Sequence, residues 1–338
     1  MEALVRKRNT KKHKNRRIER GRGRKGRFET QLKLIGANCA GLRSKMESFD
    51  KILADSNCSI FFLQETKLRR QGTIKSPNSQ NYVIFELLRK QKCGGGLAIG
   101  VAKELNPIWI SEGNDEVEFL TVQVNLKGIS IRCVNGYGPQ ENEQNEKKLN
   151  FWASLDNEVE KADFEGFGFI LQMDGNLWAG PNIIPGDPNP KNKNGEMFAQ
   201  FLQRHPQLKV VNSLDICQGL ITRKRNTAHK NERAVLDFFI VCHRVLNYIE
   251  HLLIDEDGKY ELTNYSSKKT TGVVKPSDHV TMIMDLKLFY SKPVHSRVEM
   301  YNLKDDEGQA QFNELTSYGD SLSRCFENNL PLKSQVMQ

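Results

Sequence analysis

Gln172-Met173-Asp174-Gly175-Asn176, directly after the apolar run Phe167-Gly168-Phe169-Ile170-Leu171, is the stretch on which the reading of the chain turns. A short apolar run of this kind reads as a buried strand. Asp174 and Asn176 are two residues apart at its C-terminal end, and side chains on extended backbone repeat every second residue, so both point one way. One is an anion that can act as a base or approach a metal; the other is an amide that donates and accepts. That pair suits the holding of a water against a phosphate. Taken alone, the same residues also read as an Asp-Gly turn with a capping Asn. The other strand ends decide between the two.

At 338 residues with 38% hydrophobic content, the chain can fill one large α/β domain or two ordinary ones. No apolar run approaches the ~18 residues needed to span a bilayer, and the basic N-terminus is the opposite of a secretory signal. The expectation is a soluble intracellular protein with no membrane partner. Seven scattered cysteines without a Cys-x-x-Cys fit neither a disulfide framework nor a structural zinc site. The net charge of +9 is uneven: residues 1–28 hold 13 Lys and Arg against two acids, which leaves the body near −2. Such an arm, nearly free of apolar residues, cannot offset its ordering entropy and is expected to be disordered over about 1–30. It suits phosphate contact, nuclear localisation or both.

Ordered structure is expected from Leu32-Lys33-Leu34-Ile35 to about residue 290, with 291–338 a linker or the start of a further region. Ile60–Leu63 reads as a buried strand ending in Gln64-Glu65-Thr66. Met46, Phe49, Ile52 and Leu53 have helical spacing. Gly94-Gly95-Gly96 precedes a strand and lacks Gly-Lys-Ser/Thr, so it is a tight lead-in to a hairpin rather than a phosphate loop. Phe119–Leu126 and Ile129–Val134 alternate as a hairpin and run into Tyr137-Gly138-Pro139. Leu149, Trp152, Leu155 and Val159 mark the buried stripe of a helix over 143–161. Arg223 to Arg233 is a polar, basic connection ahead of the strand Val235–Val241. Val280–Leu288 is the last strand, entered by Ser277-Asp278-His279. Many alternating strands and few helices predict two mostly antiparallel sheets packed face to face with helices outside.

Polar groups sit at the ends of these strands: Asn38, Glu65, Tyr137, Asp174 with Asn176, Asp237, and Asp278 with His279. One such residue is ordinarily a turn; so many predict a shared site above a sheet sandwich. Asp237 interrupts an otherwise apolar run and needs a partner or a metal there.

Asn38-Cys39-Ala40-Gly41, Gln64-Glu65-Thr66, Tyr137-Gly138-Pro139, Asp174-Gly175-Asn176, Leu236-Asp237-Phe238 and Ser277-Asp278-His279 occur in the order of the endonuclease/exonuclease/phosphatase superfamily. Over about residues 31–290 the chain resembles the apurinic/apyrimidinic-type endonuclease domain of non-LTR retrotransposons. The resemblance implies a four-layer α/β sandwich and a divalent-metal phosphodiesterase that nicks duplex DNA, leaving a 3′-hydroxyl and a 5′-phosphate. In that family the 3′-hydroxyl primes reverse transcription, which implies a reverse transcriptase region downstream and element RNA as a partner of the basic arm. By the same resemblance Glu65 and Asn38, supported by Asp278, hold Mg²⁺ or Mn²⁺. Asp174 takes the water's proton, Asn176 places that water, His279 held by Asp237 binds the phosphate, and Tyr137 hydrogen-bonds it or the leaving oxygen. Arg223, Lys224, Arg225, Lys230 and Arg233 contact DNA. Met173, Ala40 and Ala234 depart from the family's usual Gly, Asn and Ser without removing a central group. Three rivals stay open: an abasic-site repair endonuclease, a phosphatase or phospholipase of the same superfamily, and an idle DNA-binding remnant. Against the second, the segment before Asp237 is basic and suits a DNA backbone better than a small headgroup.

Overall fold

Seventeen strands and four α-helices follow one another in a computed structural model that describes residues 27–89, 94–126, 128–227, 230–264 and 275–291. The strands are β1 Arg27–Asn38, β2 Ile60–Gln64, β3 Tyr82–Leu87, β4 Leu97–Ala102, β5 Ile108–Glu112, β6 Glu118–Leu126, β7 Ile129–Tyr137 and β8 Gly168–Asp174. They continue as β9 Leu208–Val210, β10 Cys217–Gln218, β11 Arg223–Thr227, β12 Lys230–Ala234, β13 Asp237–Cys242, β14 Ile249–Ile254, β15 Thr263–Asn264, β16 Lys275–Pro276 and β17 Met282–Ser291. The helices are α1 Met46–Ser56, α2 Asn145–Phe164, α3 Lys193–Arg204 and the single turn α4 His243–Leu246. The basic arm up to residue 26 and the region after 291 lie outside the described residues; residues 27–30, expected in the arm, open β1.

One sheet has the order β10-β14-β17-β1-β2-β4-β3 and the other β5-β6-β7-β8-β13-β9. Most neighbours are antiparallel, with parallel pairs at β1/β2, β7/β8 and β10/β14. Alternation explains the layering. In β2 every residue is buried, but Ile60 and Phe62 pack toward the second sheet while Phe61 and Leu63 pack with Phe49, Ile52 and Leu53 of α1. A strand covered on both faces is a continuous apolar run rather than an alternating one. Leu120, Val122 and Val124 of β6 fill the space between the sheets, and Trp152 of α2 and Phe198 of α3 close the far side. Helix, sheet, sheet, helix: this is the expected four-layer α/β sandwich. Among the described residues no helix is long and apolar enough to cross a membrane.

The stripe expected on α2 is corrected at one position. Leu149 is 59% exposed, whereas Phe151, Trp152, Leu155, Val159 and Ala162 are buried. Phe151 and Ala162 pull the centre of the buried face round the helix, and at ~100° per residue Leu149 falls outside it. The described cysteines Cys39, Cys58, Cys133, Cys217 and Cys242 are free thiols, as expected.

Packing between β2 and β4 leaves no room at Gly100, where a Cβ would come within 2.0 Å of the Phe61 ring. That ring is locked against Phe49 and Tyr82, at 5.1 and 5.2 Å between centroids. Gly100→Ala should therefore destabilise the fold by ~1–3 kcal/mol, the usual cost of overpacking, read as a lower urea midpoint with an unchanged slope. An unchanged midpoint would mean that the ring can move aside.

Candidate active site

Strand pairing brings the polar strand ends together. Asn38 at the end of β1 is in register with Gln64 at the end of parallel β2, so Glu65 emerges beside it. On the other sheet Tyr137 is paired with Asp174, and Asp174 with Asp237. Of the six non-glycine residues with positive φ among the described residues, Ala40, Glu65, Lys67 and Asn176 cluster at this end of the sandwich. Such conformations cost ~1–3 kcal/mol each and persist only where surroundings hold them. Here hydrogen bonds do so: Asn176 N–H donates to Asp174 Oδ1 (3.0 Å), and its side-chain amide donates to the Gly138 carbonyl (2.8 Å).

Asn38 bridges the two sheets. Its Nδ2 donates to Asp174 Oδ2 at 2.7 Å and to Glu65 Oε1 at 3.3 Å, while its Oδ1 accepts from Ala40 N–H at 2.9 Å. The Tyr137 hydroxyl donates to Glu65 Oε1 (2.8 Å), and Lys67 Nζ lies 2.8 Å from Glu65 Oε2. On the opposite flank His279 Nδ1 meets Asp237 Oδ2 at 2.9 Å, which leaves Nε2 facing Asp174 Oδ2 at 3.9 Å. Asp237 thus has the partner its burial demanded. Its backbone is fixed by Thr222, whose hydroxyl oxygen accepts from the N–H groups of Leu236 (2.8 Å) and Asp237 (3.0 Å). Ser277, in the segment that leads into β17, donates to the Asn38 carbonyl at the end of β1 (3.0 Å).

Electrostatics separate the groups into roles. Burial and the neighbouring Asp237 push the Asp174 carboxyl up to about 7, against the pull of His279 and the Asn176 and Asn38 hydrogen bonds. Burial opposes charge on His279, but Asp237 and Asp174 outweigh it and raise the imidazole to about 9. Glu65 goes the other way. Although burial opposes its ionisation, Lys67, Tyr137 and Asn38 hold its carboxyl below the usual range. Asp278 is likewise held low against burial, by His279 and Arg223. A carboxylate near neutrality is a usable base; one held well below it is a permanent anion.

Oxygen donors of this kind suit a hard divalent cation. Glu65 and Asp278 are anionic, and Asn38 Oδ1 retains acceptor capacity beyond the Ala40 bond. The ammonium of Lys67 already places positive charge beside Glu65. Among the described residues a different set, Asp174, Asp237 and His279, brings its ligand atoms within 4.8 Å of one another. There the imidazolium already supplies a cation, as the Lys67 ammonium does beside Glu65.

A cleft of about 750 Å³ opens over these groups, lined by Glu65, Tyr137, Asn176 and His279. The basic segment before Asp237 is not a loop but the ribbon β11/β12, joined to His279 through Arg223. Its residues are not equivalent. Arg223 Nε donates to Asp278 Oδ2 (3.1 Å), and Lys224 Nζ is held by Glu256 at 2.9 and 3.2 Å. Arg225 and Arg233 are exposed, and Arg225 lines the cleft. The Lys230 side chain lies outside the described residues.

The glycine cluster does more than lead into a hairpin. Gly96 and Gly95 carbonyls accept from Thr66 and Lys67 N–H at 3.1 and 2.9 Å, which fixes the turn that carries Glu65. Gly96 N–H donates in turn to buried Glu118 (2.6 Å), itself paired with Arg89. With φ of +68° and +87°, and a Cβ 2.6 Å from Glu118 or 2.8 Å from Thr66, only glycine fits at 95 and 96. Sequence pattern alone did not single out Glu118, Arg89 or Lys67; the spacing Glu65-Thr66-Lys67 could have flagged the last.

No protein-family model matches the sequence, and no curated protein matches it either. Solved structures do. The AP endonuclease LMAP from Leishmania major superposes with a TM-score of 0.57 at 16% identity, over 76% of this chain and 88% of that one. The endonuclease domain of TRAS1, a telomere-specific non-LTR retrotransposon, gives 0.52 at 16% identity over 75% and 98%. An endonuclease/exonuclease/phosphatase family protein from Bacteroides thetaiotaomicron gives 0.53 at 14% identity over 77% and 99%. Two facing sheets of seven and six strands, the helices outside them and these superpositions agree: the chain has the fold of the endonuclease/exonuclease/phosphatase superfamily.

Proposed function

We propose that the chain is a divalent-metal-dependent endonuclease that hydrolyses DNA phosphodiester bonds. The observation that carries this is the placement of Asp174 between the Asn38 amide at 2.7 Å and His279 Nε2 at 3.9 Å, with Asp237 behind the imidazole. Asp174 accepts the proton of the attacking water, and Asn176, locked by Gly138, orients that water. His279 donates to the phosphate oxygen on which charge grows, while Asp237 keeps Nδ1 as the inner donor. Tyr137 hydrogen-bonds the phosphate or the leaving oxygen. Mg²⁺, or Mn²⁺ in its place, held by Glu65 and Asn38 with Asp278 in support, would supply Lewis-acid stabilisation of the developing charge.

DNA as substrate is supported by the basic ribbon beside the cleft and by the kinship of fold with an AP endonuclease and a retrotransposon endonuclease domain. The finer reading is nicking of intact duplex target, leaving a 3′-hydroxyl for reverse transcription. The basic arm then serves nuclear entry and contacts to DNA or element RNA, and a reverse transcriptase region follows downstream.

Supercoiled plasmid incubated with Mg²⁺, with Mn²⁺ or with EDTA tests the core of this. Open circles whose nicks a polymerase can extend should appear with metal and vanish with EDTA. Absence of nicking would reject the endonuclease; cutting confined to abasic duplex would replace it with a repair enzyme. Arg225→Ala with Arg233→Ala should redistribute the preferred nick sites while hydrolysis of a bare phosphodiester ester continues, because exposed cations near a groove read its shape. An unchanged nick map would move target choice away from the ribbon.

A further inference from the structure

One indole in the cleft has no part in the roles assigned so far. Leu177 and Ala179 are both 0% exposed, yet Trp178 between them keeps 40% of its surface. Alternation along the segment anchors it through its neighbours and leaves the ring outside. Its backbone is clamped on both sides: Trp178 N–H donates to Asn192 Oδ1 (3.1 Å), and Trp178 C=O accepts from Asn192 N–H (3.3 Å). A Cβ on Gly195 would fall 2.0 Å from that same carbonyl, so α3 packs directly against it. The preceding turn is fixed as well, since Asn194 donates to the Asn176 carbonyl (3.1 Å). Trp178 is therefore a rigidly mounted, half-open aromatic face two residues beyond Asn176. It lines the same cleft as His279, Arg223 and Arg225.

A large apolar ring left in water beside a polar site forgoes its burial, and it invites a flat partner. Nucleobases supply one, whatever their sequence, and arginines alongside suit the phosphates that join them. Resting on the nuclease reading above, we infer that Trp178 is a stacking platform for a single unpaired nucleobase adjoining the scissile phosphate. In an intact duplex each base is already stacked between its neighbours, so only one that has left the helix can lie on this ring. Bases leave most readily at bulges and mismatches. On an intact duplex target the subsite thus favours steps at which a base can leave the stack, and a bulged or mismatched nucleotide next to the cut fills it at the least cost.

The test uses the full chain in EDTA, so that no cleavage occurs, and duplexes carrying 2-aminopurine either paired or as a one-nucleotide bulge. Wild type should bind the bulged duplex about tenfold or more tightly than the paired one and quench its fluorescence. Trp178→Ala should lose both effects and Trp178→Phe should retain most of each; circular dichroism confirms that both variants are folded. Equal quenching and preference in Trp178→Ala, or no preference in wild type, overturns the subsite. Nicking with Mg²⁺ separates the two readings: a chain that nicks while Trp178→Ala binds as wild type loses only the subsite. Trp178-dependent quenching without nicking supports the subsite and removes only the hydrolytic reading.

Discussion

Asp174→Asn leaves supercoiled DNA uncut on the timescale of the wild-type reaction, with the rate lower by about 10²–10⁴-fold, the range a positioned general base contributes. The side chain keeps its size, so the loss is one of proton affinity rather than packing. Its position explains the size of the effect. Asp174 is fully buried and its carboxyl is raised to about 7 by that burial and by Asp237, so near neutrality it holds a proton neither too tightly nor too weakly. DNA binding should survive, since the exposed cations of the ribbon are untouched. Retention of more than about a tenth of the wild-type rate, ~1.4 kcal/mol of barrier, would show that another group takes the proton.

Asp237→Asn is expected to lower the rate by about 10²–10⁴-fold as well, through His279 rather than through contact with substrate. The carboxylate fixes Nδ1 as a donor and sustains the imidazolium. An amide can turn its NH₂ toward the ring and reverse that assignment. A second readout comes from stability. A histidine raised from its ordinary value to about 9 stabilises the fold fully below its unfolded pKa, ~6.5, and that contribution is lost as pH rises through about 9. In EDTA the wild-type urea midpoint should therefore fall between pH 6 and 9.5, and Asp237→Asn should flatten the fall. A variant with the wild-type pH profile would disconnect Asp237 from the imidazolium.

Much of this arrangement was legible because the decisive residues sit where apolar runs stop. Asp174, Asp237 and Asn38 each mark a strand end, and strand ends on one side of a sandwich must meet. What pattern could not supply was the register that sets Asp237 opposite Asp174, or the choice of Asn38 as the bridge between sheets. Glycines 94–96 read as a turn because their local signal is a turn signal; the carbonyls of Gly95 and Gly96 clamp the Glu65 turn only through contacts between distant segments. Arg223 and Lys224 looked interchangeable with Arg225 in a charge run. Their acids, Asp278 and Glu256, are 55 and 32 residues away and invisible to any local window. Leu149 was misread because helical spacing alone does not say which arc faces inward. Trp178 carried no periodic signal, for its exposure follows from a tertiary clamp.

The bonds that close the site span much of the chain: Asn38 to Asp174 over 136 positions and Ser277 to Asn38 over 239. Contacts of such long range form late, after the loop entropy between them has been overcome. A nascent chain still on the ribosome lacks His279 until nearly the whole sandwich has emerged. Any fragment that ends before that residue carries the carboxylates without the imidazolium. On the nuclease reading, a product that stops before His279 is without hydrolytic competence, and the activity arises only once that residue has been made.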